Sequence, residues 1–366
     1  MHSTLLLVIV VATALAFDFT NGFHDTANVV ASTISTRALS PRTAIALASL
    51  LNFAGAFISL KVAATIATGI ISAAKVTETI AFAGLVGAIA WNLITWYFGL
   101  PSSSSHALIG GVVGALLAAV GGAGVKGQAL VAKVVIPALI APLLAFVVAG
   151  VSILVIYRLV GRRRPGQVVR GFKLGQIVSE SMLALAHGTN DAQKTMGVIT
   201  LALVAHGSLS AKHVSVPTWV VLCAASAISL GTYAGGWRII RTLGTRIIKM
   251  DAAQGFASQA AGAAVILTSS HFGYPLSSTH VISGGVIGAG AARRLSAVRW
   301  GVAGNIVAAW VLTLPAAGVF GACVYWVTRL FGTGVAGPLL ISGLSVAMVA
   351  TLFMTRRGRV AEAARA

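Results

Sequence analysis

Residues 129–157 contain one lysine, Lys133, and no other formal charge. About 20 apolar residues as a helix suffice to cross the hydrocarbon of a bilayer. An open chain or a sheet edge leaves backbone polar groups unpaired there, so a run of this length folds as a helix in a membrane or in a very large core. The rest of the chain decides between the two. Only 9% of its 366 residues are charged and 57% are hydrophobic, against about 25% charged in a soluble domain. Several other runs reach spanning length, and the alternation of a lipid-facing barrel strand is absent. The fold class expected is an all-α membrane protein with about ten transmembrane helices by hydropathy window, plus re-entrant half-helices.

The formal net charge of +19 raises nucleic-acid binding, since basic proteins attract phosphate backbones. Its distribution argues against it. Arg158, Arg162, Arg163, Arg164, Arg170 and Lys173 surround one short connector, and Arg238, Arg241, Arg246 and Lys249 form a second group. Arg293, Arg294 and Arg299 form a third, and Arg356, Arg357, Arg359 and Arg365 lie in the tail. All lie between or beyond apolar segments, where cytoplasmic loops collect Lys and Arg. Cys223 and Cys323 sit in apolar stretches and imply no disulfide framework. The opening "MHSTLLLVIVVATALAF" lacks the basic region of a secretion signal and reads as the first half of a broken membrane helix.

Two polar interruptions follow apolar runs: "GFHDTANVV" at 22–30 and "GTNDAQKTM" at 188–196. They align Gly22 with Gly188, His24 with Asn190 and Asp25 with Asp191. At nearly the same offset, "FGLPSSSSHALIGGVVG" (98–114) matches "FGYPLSSTHVISGGVIG" (272–288), pairing Pro101 with Pro275 and His106 with His280. Two motifs in one order imply an internal duplication. Residues 1–160 form repeat 1, 161–173 a basic cytoplasmic linker, 174–355 repeat 2, and 356–366 a basic cytoplasmic tail. With the linker in the cytoplasm, all four basic groups fall inside with Arg37 and Arg42, while Lys61, Lys75, Lys126, Lys133, Lys212 and Arg329 fall outside. That bias predicts repeats of inverted topology, a recurrent transporter architecture.

An aspartate at the centre of a spanning helix costs about 2.5–3.5 kcal/mol on insertion scales, so Asp25 and Asp191 are expected to have functions. Carboxylate and amide oxygens of Asp25, Asn28, Asn190, Asp191 and Gln193 are hard ligands for a small cation, or proton carriers; a helix-gluing polar network is the plainer reading. Lys194 stands where repeat 1 has Asn28, either as a fixed charge replacing a cation or as a structural ion pair. In the serine motifs, Ser103, Ser104, Ser105, Ser277, Ser278 and Thr279 precede Gly-rich segments of about 15 residues, short for a span. They read as re-entrant tips whose N–H groups, hydroxyls and dipole face an oxyanion, or as ordinary N-caps. Asn21, His24, His106, His187 and His280 are accessory candidates, while Asp18 and Glu180 have no assigned role.

These motifs resemble the PiT family of inorganic phosphate transporters, most closely its bacterial low-affinity, proton-coupled branch. "NGFHDTANVVA", "WNLITWYFGLPSSSSHALIGG", "AHGTNDAQKTMGV", "GGWRII" and "YPLSSTHVISGG" carry the resemblance across nearly the whole chain. It implies a multi-pass plasma-membrane (inner-membrane) importer, homodimeric, with coupling through Asp25, Asn28, Asn190 and Asp191 and phosphate contacts from the serine tips. It implies no resident cofactor or structural metal, with protons co-transported, sodium less favoured, and Mg²⁺, Ca²⁺ or Zn²⁺ travelling as a neutral complex with phosphate. His24 and Lys194 depart from the Asn-Asp-x-x-Asn pattern of sodium-coupled relatives, which favours protons. A sulfate transporter of the same fold, a sodium-coupled symporter, an anion channel and an intramembrane hydrolase built on His24, Asp25, His187 and Asp191 are the alternatives. Enzymatic activity is not expected, and no phosphate-cradling Gly-x-x-x-x-Gly-Lys loop is present for driving transport with ATP.

Overall fold

The computed structural model describes residues 4–210 and 214–347. Lys212 and the basic tail at 356–366 lie outside the described residues. The chain is almost wholly helical, with no strand among the described residues and one isolated antiparallel bridge between Ile71 and Val125. The main helices are α1 (Thr4–Ser35), α2 (Pro41–Gly55), the short α3 (Lys61–Ala64), α4 (Glu78–Phe98), α5 (Ser104–Val120), the short α6 (Gly127–Leu130) and α7 (Ile136–Val160). They continue with α8 (Pro165–His206), α9 (Thr218–Ala234), the short α10 (Trp237–Arg241), α11 (Ala252–His271), α12 (Ser278–Arg293) and α13 (Trp300–Leu330).

Among the described residues five helical stretches have the length and composition to cross a membrane: α1, α4, 104–124, 127–160 and α13. A sixth is formed if Thr218–Ala234 and Trp237–Arg246, bent by 60° at their junction, make one span. The count of about ten is not reached on that criterion. Helices α2 and α12 are short, and α8 and α11 turn polar side chains inward, which lowers their apolarity without exposing them to lipid.

The polar interruptions do not break their helices. Both α1 and α8 run unbroken through them, over 32 and 42 residues, correcting the broken-helix reading of the N-terminal segment. No proline interrupts either segment; Asn28 and Lys194 bond sideways into protein, and Thr26 and Thr189 donate to carbonyls one turn back (Gly22 and Leu185), a bond an intact helix accommodates. The glycines have a different use. A Cβ on Gly22 would run into the Ile228 carbonyl of α9, and one on Gly188 into the Asn52 carbonyl of α2. They allow helix backbones to touch. The same device recurs outside the centre: Gly110 and Gly114 of α5 abut Leu314 and Gly318 of α13, and Gly284 and Gly288 of α12 abut Pro142 and Phe146 of α7.

The expected linker is mostly helix as well. Only 161–164 separate α7 from α8, whose first turns carry exposed Arg170 and half-buried Lys173. At 1.5 Å per residue α8 is roughly 60 Å long, about twice the hydrocarbon thickness, so its basic start has the length to extend into water. Around the outside, Leu139, Leu143, Val311 and Leu330 are largely exposed, as a lipid-facing surface requires.

Candidate functional site

Helices α1 and α8 cross antiparallel through the middle of the molecule. Thr36, just past the end of α1, meets Gln176 of α8 at 2.6 Å, and further along Asp25 comes together with His187 and Asp191. The tips of α5 and α12 close on this seam. Each follows a left-handed glycine (Gly99, φ 65°; Gly273, φ 76°) and a proline, Pro101 or Pro275, in the connector. Ser103 then caps α5, accepting from the His106 N–H at 3.1 Å, and Ser277 caps α12, accepting from the His280 N–H at 3.3 Å. The capping reading is therefore realised for these two serines, and Ser104, Ser105, Ser278 and Thr279 occupy the first turns.

At the centre the Ser278 hydroxyl lies 3.3 Å from both Asp25 Oδ2 and Asp191 Oδ2. Thr279 donates to Asp25 Oδ1 at 3.3 Å, and the Asn28 amide donates to Thr279 at 2.9 Å and to Ser278 at 3.2 Å. Thus Asn28 of α1 reaches the tip of α12. Lys194 of α8 reaches the opposite tip: its Nζ donates to Ser105 Oγ at 2.5 Å, to the Leu276 carbonyl at 2.7 Å and to Asp191 Oδ1 at 2.5 Å. Lys194 is fully buried, so its charge is held by an ion pair and two oxygens; a buried lysine needs such partners. His24 Nδ1 sits 2.8 Å from Asp25 Oδ1, with Thr95 and Ser102 around its Nε2 at 3.2 and 3.4 Å. His187 Nε2 lies 3.3 Å from Asp191 Oδ2. One ligand atom each from Asp25, His187 and Asp191 lies within 4.8 Å of the others, a set of two carboxylates and an imidazole that could hold a divalent metal.

Other sequence candidates are turned away. Gln193 Oε1 accepts from the Val62 and Ala63 N–H groups at 2.8 and 3.1 Å, pinning the start of α3 to α8. Asn190 points its amide at Ser270 (2.8 Å) and the Tyr274 carbonyl (3.2 Å). Neither side chain bonds to the central carboxylates, because a helix shows one face at a time. His106 and His280 stack edge to face at 4.7 Å, and His280 lies flat on Trp310 at 4.2 Å. Both line a cavity of about 420 Å³ between α7, α12 and α13. Asn21 lies on α1 beside Asp18.

The sequence reading missed Asn52, which joins His187 (3.2 Å) to Thr232 (2.8 Å), and Gln259, which donates to the Val29 carbonyl and Thr33 at 3.0 and 2.8 Å. Each is an amide in an Ala-rich helix, and that isolation is the signal that would have found them.

The model of the phosphate transporter family matches residues 21–321. A relative from Mycobacterium leprae, named "Probable low-affinity inorganic phosphate transporter", is 52% identical over 96% of this chain and 85% of its own length. Proteins of the same name from Rhizobium meliloti and Bacillus subtilis are 48% and 41% identical, each over 89% of this chain and 97% and 98% of their own lengths. A solved structure named "The sodium-dependent phosphate transporter" superposes with a TM-score of 0.81 at 26% identity, over 89% of this chain and all of that one. With a family match over most of the chain and relatives this similar, this multi-pass membrane protein belongs to the phosphate transporter family.

Proposed function

We propose that the chain is a secondary active importer of inorganic phosphate, coupled to protons and working by alternating access at the seam of α1, α5, α8 and α12. The observation that carries this is Lys194. A sodium ion in such a place would take a carboxylate, a hydroxyl and a carbonyl as ligands; the ammonium of Lys194 is bonded to all three, from Asp191, Ser105 and Leu276. A tethered cation therefore fills the position of a travelling one. On the Asn28 side, His24 engages Asp25, so both departures from the sodium-coupled pattern lie at the central acids. Sodium dependence stays with the solved relative that bears it in its name.

The paired contacts of Asn28 with the α12 tip and Lys194 with the α5 tip support the reading of two inverted repeats. Two tips bring hydroxyls and N–H groups to one point, as a tetrahedral oxyanion requires. Import against an inside-negative potential of about 100 mV costs about 2.3 kcal/mol per negative charge, so a phosphate dianion needs co-transported protons or a neutral divalent-metal complex. Asp25, His187 and Asp191 suit either. A homodimer in the plasma membrane completes the proposal.

Reconstituted vesicles with radiolabelled phosphate, under imposed proton or sodium gradients, test it. Uptake should follow the proton gradient, be insensitive to sodium and be outcompeted by phosphate rather than sulfate. Asp25→Asn and Asp191→Asn should each abolish gradient-driven uptake. Flux that does not saturate and ignores both gradients would point to a channel.

A further inference from the structure

Two buried acids are not used by the site as described. Glu180 of α8 and Asp18 of α1 are both 0% exposed. None of their four carboxyl oxygens makes a hydrogen bond of normal length and angle among the described residues; the polar groups near them are Thr33 for Glu180 and Asn21 and Thr195 for Asp18. An ionised carboxylate in apolar surroundings without a partner is expensive, and a neutral acid far less so. An acid kept in such a place is suited to bearing a proton, and ionisable groups inside spanning helices characteristically belong to ion or proton paths.

Their placement is the stronger argument. The antiparallel seam sets Thr33 of α1 against Glu180, Asp25 against His187 and Asp191, and Asp18 against Thr195. On α8, residues 180, 187, 191 and 195 are spaced i, i+7, i+11 and i+15, which keeps them on one face. Helix rise puts Asp18 about 10 Å from Asp25 and Glu180 about 16 Å from Asp191, measured along the axes. The two acids thus lie on opposite sides of the central pair. Glu180 is toward the end of α8 that bears Arg170 and Lys173, the cytoplasmic end by charge bias.

Their surroundings differ. Glu180 faces Thr33 of α1 and, through it, Gln259 of α11, which also accepts from Ser179 at 3.0 Å. Gln176 and His187 lie one and two turns away on α8 itself, and no charged side chain among the described residues acts on Glu180. Asp18 faces Thr195, Asp191 and Lys194 of α8 and Asn21 of α1. Asn21 Oδ1 and Thr195 Oγ1 make no hydrogen bond of normal length and angle either, which makes a polar niche around Asp18.

We infer that Asp18 and Glu180 are proton-carrying residues of the transport cycle, Asp18 on the outer side of the phosphate site and Glu180 on the cytoplasmic side. The step is proton transfer alone: an O–H bond breaks on one carboxylic acid and forms on an accepting carboxylate. The separations require water to relay the proton between them. This rests on the proton-coupled reading above.

The test uses the full chain in vesicles, with two measurements on Glu180→Gln and Asp18→Asn. One is uptake driven by an imposed proton gradient, and the other is phosphate–phosphate exchange at equal pH, which needs no net proton movement. Gradient-driven uptake should fall at least about a hundredfold, the lower end for losing a positioned proton-transfer group, while exchange stays within about twofold of wild type. Glu180→Asp, which restores an acid, should recover uptake. The inference fails if both variants keep gradient-driven uptake, or if they lose exchange together with uptake, as a purely structural role demands. Wild-type uptake that ignores the proton gradient would instead overturn the coupling reading itself.

Discussion

Lys194 is the side chain on which the chemistry of this site turns. Its ammonium lies in protein interior with Asp191, Ser105 and Leu276 as its oxygens. Lys194→Met leaves the Asp191 charge without its partner, and breaking a buried pair from one side costs about 3–5 kcal/mol. Thermal unfolding in detergent should report that loss, with phosphate uptake falling alongside it. Lys194→Asn restores the residue type of position 28, and uptake should then respond to sodium when sodium replaces choline in the assay. Proton coupling left unchanged by that substitution would count against the tethered-cation account. Gln193 presents the opposite case. It reads as a cation ligand in the sequence, yet its oxygen is used by the N–H groups of Val62 and Ala63. Gln193→Leu should cost about 1–3 kcal/mol of stability, the penalty for orphaned buried donors, and leave the cation dependence of uptake as it was.

At the level of the helix, glycine decides how closely the elements approach. The Asn-Gly and His-Gly pairs at 21–22 and 187–188 look like breaks in sequence, because glycine weakens a helix by about 1 kcal/mol relative to alanine. The helices survive, and the glycines serve the contacts with Ile228 and Asn52. Gly22→Ala and Gly188→Ala should each destabilise the fold by about 1–3 kcal/mol through forced backbone separation. Gly171→Ala, where a Cβ meets nothing, should be neutral or stabilise α8 by up to about 1 kcal/mol. Melting temperatures of the three purified variants separate the two glycine roles. The serine tips were legible as helix starts because proline, serine and a following apolar run mark an N-terminus in any helix. That Ser103 and Ser277 spend their acceptor oxygens on capping was visible only in the geometry.

The whole molecule embeds a polar seam in an apolar core and surrounds both with exposed aliphatic side chains, so that, unlike a soluble protein, its outside is apolar too. Charge then orients it in the bilayer. Arg170 and Lys126 are both exposed, and the positive-inside reading places them on opposite sides. In a background lacking Cys223 and Cys323, a membrane-impermeant maleimide added to intact cells should label Lys126→Cys and not Arg170→Cys. Labelling of Arg170→Cys before permeabilisation would reverse the orientation, and with it the assignment of Glu180 to the cytoplasmic side.

By itself the sequence settled the solvent this protein folds in and the family it belongs to. Hydropathy averaged over a spanning length measures transfer into lipid, and the quoted motifs are specific in their combination. It also picked out Asp25, Asp191 and Lys194, because a charge inside an apolar run is costly wherever the run ends up. Only the tertiary structure decided which polar groups meet. Asn190 and Gln193 sit beside Asp191 in the chain and point elsewhere, whereas Ser105 and Leu276, distant in the chain, converge on Lys194, and Ser278 on the central acids. The reason is rotational. Neighbours on a helix face different directions, and which face finds a partner depends on the crossing and register of other helices, which a linear reading of residues does not contain.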